Sequence, residues 1–73
     1  MLDFMEETLV WDASYAVAVA LRDAYPHEDL ETVSLENVFA WTLSLPTFDD
    51  DPELANDEIL LEIYKNWLEL TLV

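Results

Sequence analysis

One stretch decides the fold: Trp41-Thr-Leu-Ser-Leu-Pro-Thr-Phe48-Asp-Asp-Asp-Pro52. Pro46 cannot continue a helix, so a helix is predicted to end near Leu45. Asp51 and the proline after it are typical of a helix start, with aspartate as the N-cap and proline at the first helical position. Three successive aspartates are therefore predicted to lie at an exposed corner between helices. Phe48 should anchor this corner in the core, and Phe48 and Trp41 together should hold it in place.

Upstream of this stretch, a first helix is predicted over Tyr15–Tyr25. Asp12 or Ser14 is its candidate N-cap. The helix should stop near Tyr25, because the residue before Pro26 is disfavoured in the helical region. Helical spacing of apolar residues supports this prediction at Val17, Ala20, Leu21 and Ala24.

A second helix is predicted to begin after Ser34 as N-cap, with Glu36 in its first turn. One stripe along this helix comprises Leu35, Val38, Thr42 and Leu45, with Trp41 beside it. A third helix begins near Pro52 or near Asn56, and we favour a short turn followed by the main helix. Its apolar stripe comprises Ile59, Leu60, Ile63, Tyr64, Trp67, Leu68 and Thr71.

No useful period-2 alternation occurs in the sequence, and no glycine is available for hairpin turns. The predicted fold class is therefore all-α, a three-helix bundle around one core. Residues 1–10 are predicted to form an N-terminal extension, and residues 11–73 a single helical domain.

The chain has 73 residues and a net charge of −15, and Arg22 and Lys65 are its only basic side chains. This balance excludes nucleic acid and anionic membranes as partners, because both require Lys or Arg to meet phosphate. A basic protein patch, cations and a high-salt environment remain as explanations. The absence of cysteine excludes disulfides and thiolate chemistry.

The N-terminus lacks the basic region of a signal peptide, and no apolar run approaches the length of a membrane span. A cytoplasmic location is expected.

No arrangement of residues points to catalysis. His27 follows a proline in an acidic turn and is predicted to be an exposed turn residue, because no nucleophile accompanies it. A calcium loop counted from Asp49 fails, since its sixth position is Leu54 and its twelfth is Leu60. A looser carboxylate site for Fe²⁺, Fe³⁺ or Mg²⁺ stays open beside the simpler interpretation of a solvated turn.

The residues resemble the IscX family, small acidic accessory proteins of bacterial iron–sulfur cluster assembly. The match runs without a gap from Trp11 to about Glu69. Its most specific strings are Asp23-Ala-Tyr-Pro26 and Phe48-Asp-Asp-Asp-Pro52. The other matching positions are Trp11, Ser14, Leu21, Asp29, Thr32, Val33, Trp41, Leu45, Asn56, Ile59, Leu60, Trp67 and Leu68.

The resemblance implies a helical domain similar to a winged helix whose wing is nearly absent. It also implies a non-enzymatic regulator that binds the basic patch of cysteine desulfurase, tunes sulfur delivery, and competes with frataxin for the same surface. We expect the partner-binding residues to be Asp23, Asp29, Asp49, Asp50, Asp51 and Glu53. The resemblance further implies weak binding of Fe²⁺ or Fe³⁺ and no stably bound cofactor.

The chain departs from the family at its first helix, where Ala13, Ala16 and Val19 replace acids that are candidate iron ligands. Of that group Asp23 remains, with Asp29 in the following turn, and these two are the expected metal ligands. An iron-binding adaptor is therefore the alternative function. A further alternative is a self-associating module that uses the apolar first helix, although a monomer is expected.

Overall fold

The structure, a computed structural model, describes residues 8–72. They form three α-helices, α1 (Ser14–Ala24), α2 (Leu35–Leu43) and α3 (Asp57–Leu72). Short 3-10 turns at Leu30–Thr32 and Pro52–Leu54 precede α2 and α3. The all-α, three-helix prediction is confirmed. The described part of the chain contains no strand, and the likeness to a winged helix stays an expectation.

One core lies between the helices, and α1 packs chiefly against α3. Two tryptophans from opposite ends of the chain, Trp11 and Trp67, are each only 2% exposed. Burying such large rings supplies much of the stabilisation available to a chain this short. The other buried apolar residues are Val17, Ala18, Leu21, Leu30, Val38, Leu45, Leu60 and Ile63.

Two helix starts follow the predicted chemistry. The Ser34 hydroxyl accepts the Asn37 backbone N–H, and the Asn37 side chain accepts the Ser34 N–H, which forms a capping box. The Asn56 side chain accepts the Ile59 N–H at 2.9 Å at the start of α3. At its other end α2 stops at Leu43, two residues before the predicted end, because Ser44 and Leu45 already form the turn into Pro46.

The predicted cap of α1 is wrong. The N-cap residue is Ala13, and neither Asp12 nor Ser14 caps the helix with its side chain. Ser14 is instead the first helical residue, and its hydroxyl accepts a hydrogen bond from the Asn66 side chain of α3 at 3.1 Å. A contact between helices thus takes the place of a local cap.

The last residues of the predicted N-terminal extension are part of the folded unit. The Leu9 N–H donates to the Thr47 carbonyl, and the Asp49 N–H donates to the Leu9 carbonyl, at 2.9 and 3.0 Å. These bonds form an isolated parallel bridge between Leu9 and Phe48. The rest of the extension, residues 1–7, lies outside the described residues.

Within residues 8–72, no helix combines the length and apolar character that a membrane span needs.

Candidate functional site

The acidic corner comprises Asp49, Asp50, Asp51 and Glu53, and it connects α2 to α3 as predicted. Trp11 holds it from the side of α1. The Trp11 backbone N–H donates to Asp50 Oδ2 at 3.1 Å, and the indole Nε1–H donates to the Asp51 carbonyl at 2.8 Å. Since the Trp11 ring is buried, these bonds tie the corner to the core.

Asp50 differs from the other acids of the corner because both of its carboxylate oxygens accept backbone N–H groups. Oδ2 accepts from Trp11, and Oδ1 accepts from Asp51 at 2.8 Å. Asp50 is also partly buried, whereas the other thirteen acidic side chains between residues 8 and 72 are exposed. It therefore shapes the corner as well as adding charge to it.

The remaining acids of the corner face solvent. The Asp51 side chain accepts the Glu53 N–H at 3.0 Å, which confirms Asp51 as the cap before Pro52. The carboxylates of Asp49 and Glu53 make no hydrogen bond to any residue that the structure describes. Their charge is thus presented to solvent from a backbone held at several points.

The aromatic support of the corner was only partly foreseen. Phe48 packs edge-on against Trp11, with ring centroids 4.6 Å apart, so its predicted anchoring role is confirmed. Trp41 instead stacks on Tyr25 at 4.8 Å and contacts Trp67 at 6.2 Å, in the core beyond the corner. Trp11 supports the corner instead. The sequence contains one indication of this role, because a buried indole N–H needs a hydrogen-bond acceptor.

The two other predicted partner-binding acids lie elsewhere. Asp23 is near the end of α1, nine residues after Ser14 and thus about 14 Å further along the axis. Asp29 accepts the Glu31 N–H and caps the 3-10 turn at Leu30. The Tyr64 hydroxyl fixes that turn by donating to the Leu30 carbonyl at 2.8 Å. The structure therefore places Asp49, Asp50, Asp51 and Glu53 in one segment, whereas Asp23 and Asp29 belong to other elements, the end of α1 and the 3-10 turn before α2.

The expected metal ligands do not form a preorganised site. Asp23 lies 3.3 Å from the Arg22 guanidinium, and an Asp29 oxygen accepts a backbone N–H. In residues 8–72 no three His, Cys, Asp or Glu residues are grouped so as to hold a metal ion. Firm binding of a hard cation needs a larger cluster of oxygen ligands than two carboxylates provide.

The sequence did not indicate a shallow groove beside the corner. It lies between the starts of α2 and α3 and the 3-10 turn at Pro52, with a volume of about 330 Å³. Glu36 and Asp57 line it together with Glu53 of the corner. Acids in the first turns of helices are explained by the helix dipole, so the sequence offered no reason to group them.

A second groove, of about 480 Å³, lies between Trp11 and the outer face of α3. Asp12, Glu58, Glu62 and Lys65 line it. It is therefore mixed in charge, unlike the groove beside the corner. His27 is exposed in the turn after α1, as predicted.

Comparison with known proteins places the chain among iron–sulphur cluster assembly proteins. A sequence model of the family described as "Iron-sulphur cluster assembly" matches residues 9–71. The uncharacterised protein PA3808 of Pseudomonas aeruginosa is 29% identical over 62 residues, which cover 85% of this chain and 94% of that protein. The part of the chain that the family model matches includes Leu9, the residue that pairs with the corner.

Proposed function

This chain belongs to the IscX-type iron–sulphur cluster assembly family, and from this premise we propose that it is a non-enzymatic accessory protein that docks on cysteine desulfurase. The acidic corner would face the basic patch of the desulfurase and tune sulfur delivery to the assembly machinery. The observation that carries the proposal is the anchoring of three successive aspartates, Asp50 and Asp51 by Trp11 and the Asp49 backbone by Leu9.

The electrostatics support docking by charge. All fourteen acidic side chains between residues 8 and 72 reach solvent at least in part, and in that range Arg22 and Lys65 are the only Lys or Arg. The described residues form one ion pair, Arg22 with Asp23, and it is exposed. Little of the negative field is therefore neutralised within the chain. A field of this kind accelerates association with a cationic surface and makes binding sensitive to salt.

Anchoring of the corner adds to this effect, because a charge on a fixed backbone loses less entropy when it meets its partner. The corner is held by Leu9, Trp11 and its own cap at Asp51. Competition with frataxin for the same basic patch would follow, since two proteins cannot occupy one patch together.

The first prediction concerns binding to the desulfurase. Asp49→Lys should weaken binding by about tenfold at low salt, because it reverses an exposed charge at the corner. Glu69→Lys is the matched control: it changes net charge equally but lies about 18 Å along α3 from Asp57. Titration calorimetry at rising NaCl is the measurement. Equal effects of the two substitutions, or salt-independent binding by the unmodified chain, would contradict the proposal.

The second prediction concerns iron. Because residues 8–72 contain no grouped set of ligands, Fe²⁺ and Fe³⁺ are expected to bind weakly, as counterions spread over the acids, with Asp23 and Asp29 among them. NMR spectra during iron titration should then show broadening distributed over all acidic residues. Signal loss confined to Asp23 and Asp29, and abolished by Asp29→Asn, would instead establish the iron-binding alternative.

A further inference from the structure

The groove beside the acidic corner has an apolar lining below an acidic rim. Leu60 is 7% exposed at its base, and Leu35, Phe39 and Ala55 contribute half-buried apolar surface. Its volume of about 330 Å³ is at the lower end of the roughly 300–1,000 Å³ of small-molecule pockets. A shallow groove of this size suits one apolar side chain better than a cofactor.

The rim carries charge of one sign. Glu36, Glu53 and Asp57 are exposed, and their carboxylates make no hydrogen bond or ion pair with any residue between 8 and 72. No Lys or Arg lines this groove, in contrast to the groove that contains Lys65. Each of the three acids lies in the first turn of its helix or 3-10 turn.

These two features select one kind of occupant. An anionic or purely apolar ligand would face three uncompensated carboxylates, whereas a purely cationic segment would leave the apolar lining open to water. A segment with Lys or Arg on both sides of an apolar residue would meet both requirements at once.

We propose that this groove receives a single apolar side chain from a cationic segment of a partner protein, while flanking Lys or Arg residues pair with Glu36, Glu53 and Asp57. The inference rests on the proposed function and deepens it, because the corner would supply long-range attraction and the groove would supply selectivity. Charge attracts any basic surface, but only a segment with an apolar residue at the right place fills the groove.

Two capped pentapeptides test the chemistry directly, Lys-Lys-Leu-Lys-Lys and Lys-Lys-Ser-Lys-Lys. They carry the same charge and differ only in the apolar residue. The leucine peptide should bind the full chain about tenfold more tightly, because it alone buries an apolar side chain. It should also shift the NMR signals of Leu35, Phe39 and Leu60. Equal affinities for the two peptides would overturn the proposal.

Filling the groove should remove this preference. Ala55→Leu adds bulk to the groove wall, and the control Ala16→Leu adds the same bulk to the exposed face of α1. Unfolding temperatures check that both variants fold. Ala55→Leu should lower the affinity for the leucine peptide to that for the serine peptide, and Ala16→Leu should leave it unchanged. A preference that survives Ala55→Leu would place the binding elsewhere.

Should Ala55→Leu fail to fold, Glu36→Gln/Glu53→Gln/Asp57→Asn provides a second test against the equally charged control Glu28→Gln/Glu31→Gln/Glu69→Gln. The triple variant at the rim of the groove should weaken binding of the leucine peptide several-fold more than the control variant does. Equal losses of affinity in the two triple variants would contradict the proposed role of the groove.

Binding to cysteine desulfurase separates the two proposals. Weaker desulfurase binding by Ala55→Leu, with the acidic corner intact, supports the groove as part of that interface. Salt-sensitive desulfurase binding that Ala55→Leu leaves unchanged overturns the groove while the proposed function stands. If the unmodified chain does not bind desulfurase but still prefers the leucine peptide, the proposed function fails and the groove stands as the site for a different cationic partner.

Discussion

At the scale of single residues, two neighbouring aspartates have different roles. Asp50 accepts the backbone N–H groups of Trp11 and Asp51, whereas Asp49 faces solvent and makes no side-chain hydrogen bond within residues 8–72. A carboxylate that satisfies two backbone donors stabilises the fold through charge-assisted bonds. The successive aspartates therefore include one carboxylate that stabilises the fold, that of Asp50, and one that is presented to solvent, that of Asp49.

This difference predicts unequal effects on stability. Asp50→Ala should lower the free energy of unfolding by about 1–3 kcal/mol, because two donors lose a charged acceptor that is partly buried. Asp49→Ala removes the same charge and should change stability by no more than about 0.5 kcal/mol. Urea denaturation followed by circular dichroism gives both values. Comparable losses for the two variants would show that the carboxylate of Asp50 contributes no more to stability than that of Asp49.

At the scale of elements, the sequence was informative wherever a signal is local. Ser34, Asn56 and the pair Asp51–Pro52 begin their elements as predicted, because a cap needs only residues three or four positions apart. The start of α1 was missed, since the partner of Ser14 is Asn66 on another helix. A contact between two helices cannot be predicted from the residues adjacent to the helix start.

The site was predictable to the same extent. Its acids follow from the sequence, because most carboxylates at a proline-bounded corner are exposed, although the partial burial of Asp50 does not follow. The supports do not, because Leu9 and Trp11 lie about forty positions before the corner, and the bridge that Leu9 forms has no strand pattern in the sequence. The groove was hidden for a related reason: its acids come from three separate elements, and each alone is explained by its own helix start.

The cap of α3 provides a test at this scale. Asn56→Ala should destabilise the protein by about 1 kcal/mol, because the Ile59 N–H loses its acceptor. Asn56→Asp keeps an acceptor there and adds a charge that the helix dipole favours, so it should preserve stability. Thermal unfolding distinguishes these outcomes. An alanine variant as stable as the original chain would mean that the Asn56 side chain is not needed to start α3.

At the scale of the whole molecule, charge acts in two opposite directions. With 17 acidic and 2 basic side chains, the folded state repels itself while it attracts cationic partners. Salt screens both effects, since the Debye length is about 10 Å at 0.1 M ionic strength. The same addition of salt should therefore stabilise the fold and weaken docking.

Raising the NaCl concentration from about 20 to about 500 mM should increase the free energy of unfolding. A gain of about 1 kcal/mol would raise Tm by about 4–8 °C for a domain of this size. Glu28→Gln/Glu31→Gln/Glu69→Gln should respond less, because it carries less charge to screen. Calorimetric scans measure both. A Tm that is constant or falls with salt would show that self-repulsion does not limit stability.

The bridge between Leu9 and the residues around Phe48 has a practical consequence for protein engineering. A shortened chain that starts at Trp11 would retain all three helices, and its circular dichroism spectrum would look intact. It would nevertheless lack the two backbone hydrogen bonds of Leu9, which hold Thr47 and Asp49 in place. Trimming what resembles a dispensable leader would thus leave the scaffold whole and loosen the part of the surface that recognition needs.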